Sequence, residues 1–174
     1  LGRASFYNDE GTIVDVKDLK KWSKFDYYTG EYKWIQQESI FLKKDLWIKA
    51  GSKINTDLKY AGDYELWLRF FRFAKLYSCE TIFAGFRFRT KDQLSLEKID
   101  SYLYEVDSVT NLNSLPREDK YALKKISFFK KYIFRIPFIR KIKFLRRNYK
   151  RIFDYPPKIV YDFIQRQFFK NFSK

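Results

Sequence analysis

The chain has 174 residues, 45% of them hydrophobic and 21% aromatic, a composition that supports a packed core and excludes wholesale disorder. Its formal net charge is +15, with 36 Lys and Arg against 21 Asp and Glu, no histidine and a single cysteine, Cys79. Ser-His-Asp and Cys-His catalysis, a Cys/His zinc site and an internal disulfide framework are therefore excluded within this chain, and the lone thiol suits a reducing compartment.

In chain order, YNDEGTIVDV (7–16) predicts a hairpin that turns at Asp9-Glu10-Gly11. The stretch KFDYYTGEYKWIQQESIFL (24–42) predicts a turn at Thr29-Gly30 and then a strand through Gln36, Gln37 and Glu38. KKDLWIKA (43–50) predicts a short helix stopped by Gly51 in the left-handed conformation. Apolar residues at 64, 67, 68, 71 and 74 have the helical period and predict a helix from Tyr64 to Lys75. CETIFAGFRF (79–88) is rich in β-favouring residues and predicts a strand, and Ser95 is the expected N-cap of a helix that runs to about Val109. Strands interspersed with helices predict an α/β fold.

The charge is concentrated. From Lys120 to Lys174 there are 17 Lys and Arg against only Asp154 and Asp162, while the first 119 residues carry equal numbers of bases and acids. The composition thus predicts a balanced domain over 1–112 and a basic, all-helical appendage over 113–174, with the seam near NLNSLPRED (111–119). Residues 127–153 hold ten Lys and Arg and no acid. After Pro137, apolar positions at 138, 142, 145, 149 and 152 predict a basic amphipathic helix, ended at Pro156-Pro157 and followed by a last helix in KIVYDFIQRQFFKNF. Three readings of this tail compete: a helix lying on an anionic membrane, a helix packed on the core with a solvated basic face, and, weakest, nucleic-acid binding. No stretch reaches the roughly 18 consecutive apolar residues that a membrane span requires. The chain begins at Leu1 without a methionine or a signal peptide, so it reads as a fragment of a longer protein.

Asp63 directly follows Gly62 at the head of an aromatic helix. Such an acid is either a cap favoured by the helix dipole or a general base aimed from a helix start. The neighbouring motifs WIQQESIFLKKDLWIKAG (34–51), LKYAGDYELWLRFFRFAKLY (58–77) and GFRFRTKDQLS (85–95), taken in this order and spacing, resemble the C-terminal half of a family 2 glycosyltransferase catalytic domain. The turn in YNDEGTIV adds to the likeness, which covers about residues 5–110.

The resemblance implies a partial GT-A-like nucleotide-diphospho-sugar transferase core and an inverting transfer to a glycan or polyisoprenyl-linked acceptor in surface-polysaccharide synthesis. Asp63 matches the position that deprotonates the acceptor hydroxyl, and Glu65 points elsewhere on the helix. Gln37 or Glu38 would line the floor of the site, with backbone pairing as the alternative, and Trp67 would offer a ring for stacking or belong to the core. Arg87, Arg89, Gln93 and Ser95 match the loop that follows the last core strand. The two arginines would grip the donor diphosphate or pair with carboxylates such as Glu38.

The family's Asp-x-Asp motif and its nucleotide-binding βαβ units have no counterpart here. Mg or Mn is therefore expected only through an N-terminal half, with none bound by this chain, and the fragment alone is expected to be inactive. The implied location is the cytoplasm, peripheral on the inner face of the plasma membrane through residues 127–153. The rival class is a non-catalytic basic module for a membrane surface or nucleic acid.

Overall fold

The computed structural model describes residues 1–16, 18, 22–28, 35–89, 97–133, 135–136, 138 and 141–171. The fold is mixed α/β and divides into two compact units, one of residues 1–22, 34–109 and 156–174, the other of residues 23–33 and 110–155. One division thus falls between Val109 and Thr110, just before the seam where the charge balance changes.

In the first unit, β1 (Arg3–Tyr7) is the middle strand of a sheet of order β2-β1-β3. It pairs antiparallel with β2 (Ile13–Val16) and parallel with β3 (Ile82–Arg87). The expected hairpin is present. Asn8 Oδ1 accepts the Thr12 N–H at 2.8 Å, and Gly11 takes φ +80°, the left-handed conformation that a glycine adopts without steric cost. Ala4, Ser5 and Phe6 are buried, as befits a central strand, whereas β2 is exposed throughout.

Two helices on this unit carry the region of interest. The first, α2 (Lys44–Lys49), ends at Gly51 with φ +96°, as its sequence predicts. The second, α3 (Gly62–Phe71), buries Tyr64, Trp67, Phe70 and Phe71 at the expected helical spacing. The helix α4 (Ile99–Val109) places Val106 in the core, and its residue Glu105 returns below. Ser95, Gln93 and the Thr29-Gly30 turn lie outside the described residues.

Two expectations are corrected here. Gln36, Gln37 and Glu38 do not form a strand, because Gln37–Ser39 is a single 3-10 turn. Both edges of β1 are already taken by β2 and β3, and glutamine and glutamate have little preference for a strand. The turn is instead tied down by the Gly2 N–H, which donates to the Ser39 carbonyl at 2.8 Å, and by the Ser39 hydroxyl, which donates to the Arg3 carbonyl at 3.3 Å.

The second correction concerns the end of the chain. KIVYDFIQRQFFKNF is not a helix but an antiparallel hairpin of β4 (Lys158–Asp162) and β5 (Gln167–Asn171). Asp162 Oδ1 accepts the N–H groups of Ile164 and Gln165 at 2.8 and 3.0 Å, and Arg166 takes φ 52°, so the turn is built by local polar chemistry. Tyr161 and Phe168 face each other across the strands with ring centroids 5.0 Å apart. The hairpin also joins the first unit, through Ile159 N–H to Ser78 O at 2.7 Å and a Lys158–Glu80 ion pair at 2.9 Å. The terminal segment is therefore neither helical nor part of an appendage that begins at residue 113.

The second unit contains α1 (Lys24–Tyr28), α5 (Arg117–Phe128) and α6 (Lys143–Phe153), with a π-turn at Phe129–Ile133 extending α5. Its buried residues include Phe25, Tyr27, Leu115, Ile126 and Phe153. The basic amphipathic helix is present, but it begins at Lys143 rather than directly after Pro137, which lies outside the described residues. No helix among the described residues is long and apolar enough to cross a membrane.

Candidate functional site

The site is organised by the start of α3. Ala61 is the residue before the helix and makes no side-chain cap, and the segment that leads into the helix, residues 59–61, is held by a group from elsewhere. That group is Glu105 of α4, whose carboxylate accepts the backbone N–H groups of Lys59, Tyr60 and Ala61 at 3.0, 2.8 and 2.8 Å. Partial desolvation pulls its pKa upward, but the three N–H donors and the Lys59 charge outweigh that effect and hold it below the usual glutamate value. The segment that leads to Asp63 is thus clamped by a residue 44 to 46 positions further along the chain. Nothing in its local sequence marks Glu105 for this role.

A depressed carboxyl pKa contributes stability that is present above the unfolded value of about 4.3 and is lost as pH falls through the folded value. Glu105→Gln should therefore destabilise the first unit at pH 7, and the difference from the parent should vanish at low pH. Urea unfolding of both proteins at pH 7 and pH 3 measures this. An equal loss at the two values would remove the ionic part of the clamp.

A second clamp fixes the far side of α3. Arg69 pairs with Glu65 one turn earlier at 2.9 Å, while its other nitrogens donate to the carbonyls of Ala50 and Lys53 at 2.5 and 2.7 Å. Glu65 is thereby committed to holding α3 against the end of α2.

Asp63 is held differently. Its carboxyl is half-buried, its Oδ1 accepts the N–H of the next residue, Tyr64, at 2.7 Å, and it forms no ion pair among the described residues. Burial pushes its pKa up, the backbone donors at Tyr64 and Asp63 oppose the rise, and the negative charge of Glu38 adds to it. An acid that served only to cap a helix would be shifted the other way by the helix dipole. The structure thus brings Asp63 and Glu38 within electrostatic reach of each other.

The other expected residues are less assembled. Gln37 and Glu38 are exposed on the 3-10 turn, where the Gln36 side-chain amide donates to Glu38 at 2.9 Å. Trp67 lies one turn after Asp63, is buried, and packs on Phe70 with ring centroids 5.8 Å apart, so it belongs to the core more than to an open stacking platform. Arg87 is exposed at the end of β3 with its guanidinium 5.7 Å from the Tyr7 ring centroid, and Arg89 is exposed just beyond. Gln93 lies outside the described residues. No group of three or more His, Cys, Asp or Glu that could hold a metal ion occurs among the described residues.

No protein-family model, no curated protein and no solved structure matches this chain.

Proposed function

We propose that this chain is the acceptor-side portion of an inverting glycosyltransferase with a GT-A-like core. It would act with a nucleotide-binding half to move a sugar from a nucleotide sugar to a glycan or lipid-linked acceptor. The observation that carries this reading is Asp63: a half-buried carboxyl of raised pKa, with no paired cation among the described residues, at the start of a helix whose leading segment Glu105 clamps from outside. A carboxylate whose pKa is raised is, once ionised, a stronger base toward a hydroxyl than an ordinary aspartate. In the proposed step Asp63 takes the acceptor O–H proton as the oxygen bonds to the sugar's anomeric carbon, and the bond to the diphosphate breaks with its electrons. Arg87 and Arg89 supply positive charge for that leaving group.

The test is transfer by the protein that includes the nucleotide-binding half, comparing the parent with Asp63→Asn. Near-parental turnover in the variant would remove Asp63 from the role and, with it, the reading.

The tail supports a location as well as a chemistry. The helix α6 carries Lys143 and Arg147, yet Phe144 on the same helix is 61% exposed, and Phe138 and Ile142 before it are exposed too. Basic groups beside uncovered aromatic and aliphatic ones suit the surface of an anionic membrane better than a solvated face, which has no use for exposed phenylalanine. In the proposed setting this surface is the cytoplasmic face of the plasma membrane. The protein should co-sediment with vesicles containing anionic lipid and not with purely zwitterionic ones, and Phe144→Ser should weaken that binding at constant charge. Equal sedimentation with both vesicle types would refute the membrane reading.

A further inference from the structure

We infer that the first unit contains a binding site for a single-chain amphiphile with an anionic head group. The site is a cleft of about 680 Å3 beside α3, within the range of roughly 300–1,000 Å3 typical of small-molecule sites. It is bounded by Leu46, Trp67, Phe70, Phe71, Phe83 and Ile159, side chains from α2, α3, β3 and the terminal hairpin. At its edge Phe41 is 75% and Phe168 54% exposed, so the mouth as well as the interior is apolar.

Two observations select the ligand. First, the lining has few polar groups, so a sugar or another hydroxyl-rich ligand would leave its own groups without partners. Second, the charged side chains that line the cleft among the described residues are lysines, Lys43 and Lys75, and Lys170 adds a third cation 5.2 Å from the ring centroid of Tyr77, which also lines it. That sign matches a carboxylate or phosphate head. The inference stands on the cleft alone, independent of the transferase reading, and its test uses no nucleotide sugar.

The experiment is calorimetric titration of the chain with dodecanoate and with dodecyl phosphate below their micelle concentrations. Dodecanol and dodecyltrimethylammonium serve as head-group controls. Salt on the order of 0.3 M suppresses loose attraction of anions to the basic tail. One anionic molecule should bind per chain, about tenfold or more tightly than dodecanol, with the cation weaker still. A preference between carboxylate and phosphate identifies the head group. Ala74→Phe, at an exposed position that lines the cleft, should cut the affinity about tenfold. Several molecules per chain, equal binding of the trimethylammonium compound, or unchanged binding by Ala74→Phe would each overturn the inference. Should Ala74→Phe not fold, Lys43→Glu on the surface replaces it, and undiminished binding of the anions by that variant overturns the inference equally. A second copy of the chain as occupant would show as dimerisation that the amphiphile does not reverse, which also counts against it.

Discussion

On the proposed transferase reading, Asp63→Asn should sharply slow sugar transfer by the protein that includes the nucleotide-binding half and, at neutral pH, make the first unit more stable than the parent. The two effects have one cause. The Asp63 carboxyl is raised in pKa by burial, opposed by the Tyr64 and Asp63 backbone donors and reinforced by Glu38, so the folded protein holds its proton more tightly than the unfolded chain does. For an acid shifted upward, the folded state binds more protons, and stability falls as pH rises from the unfolded value, about 3.9, through the folded one. Above the folded value the whole penalty is present. Asparagine carries no charge to desolvate and still offers an oxygen to the Tyr64 N–H, so it removes the penalty and keeps the hydrogen bond.

Chemical unfolding as a function of pH measures this directly. The two proteins should coincide below the unfolded pKa, and the variant should gain as pH rises. A helix cap behaves in the opposite way, because replacing a first-turn aspartate by a neutral residue forfeits about 0.3–1 kcal/mol of favourable dipole interaction. In the transfer assay the loss expected for a missing general base is about 10²–10⁴-fold, with donor binding unchanged. A variant that is both less stable and fully active would make Asp63 a cap and nothing more.

What was legible in the sequence divides by the range of the interactions involved. The hairpin at Asn8–Thr12, the stop at Gly51 and the core face of α3 depend on residues within a few positions of one another, and each was readable. Glu105 was not. Its hydrogen bonds go to Lys59, Tyr60 and Ala61, and no local pattern on α4 distinguishes it from its solvated neighbours. The strand expected at Gln36–Glu38 failed for the same reason, since whether a segment joins a sheet depends on which edges are still free. The terminal hairpin was misread for a local reason instead. Ile159, Val160, Tyr161, Phe168 and Phe169 are β-formers on either side of a turn, and the basic helical tail before them invited continuation. Asp63 itself was legible as a candidate, but the direction of its pKa shift depends on burial that only the fold supplies.

Asp26→Ala should destabilise the second unit by about 2–4 kcal/mol, the largest stability effect expected of a single side chain there. Ser23, Lys24, Phe25 and Asp26 form a reciprocal cap at the start of α1. The Ser23 hydroxyl oxygen accepts the Phe25 N–H at 3.3 Å, and Asp26 Oδ2 reaches back to the Ser23 N–H at 3.0 Å. The same Ser23 hydroxyl donates to the Phe153 carbonyl, and Tyr155 donates its hydroxyl to Asp26 Oδ1 at 2.9 Å. One buried carboxylate, 0% exposed, therefore joins a five-residue helix near the start of the chain to the end of α6. A helix that short has no stability of its own and persists only through such ties. Truncation to alanine leaves the Ser23 N–H and the Tyr155 O–H without this acceptor in a dry setting, so the cost includes their desolvation as well as the lost bonds. Tyr155→Phe removes one of those bonds together with its donor and should cost less, about 0.5–1.5 kcal/mol. Denaturant unfolding of the parent and the two variants gives the ordering. If Tyr155→Phe proved as damaging as Asp26→Ala, the tie would lie in the tyrosine ring, which stacks on Phe153 at 5.4 Å, and not in the carboxylate.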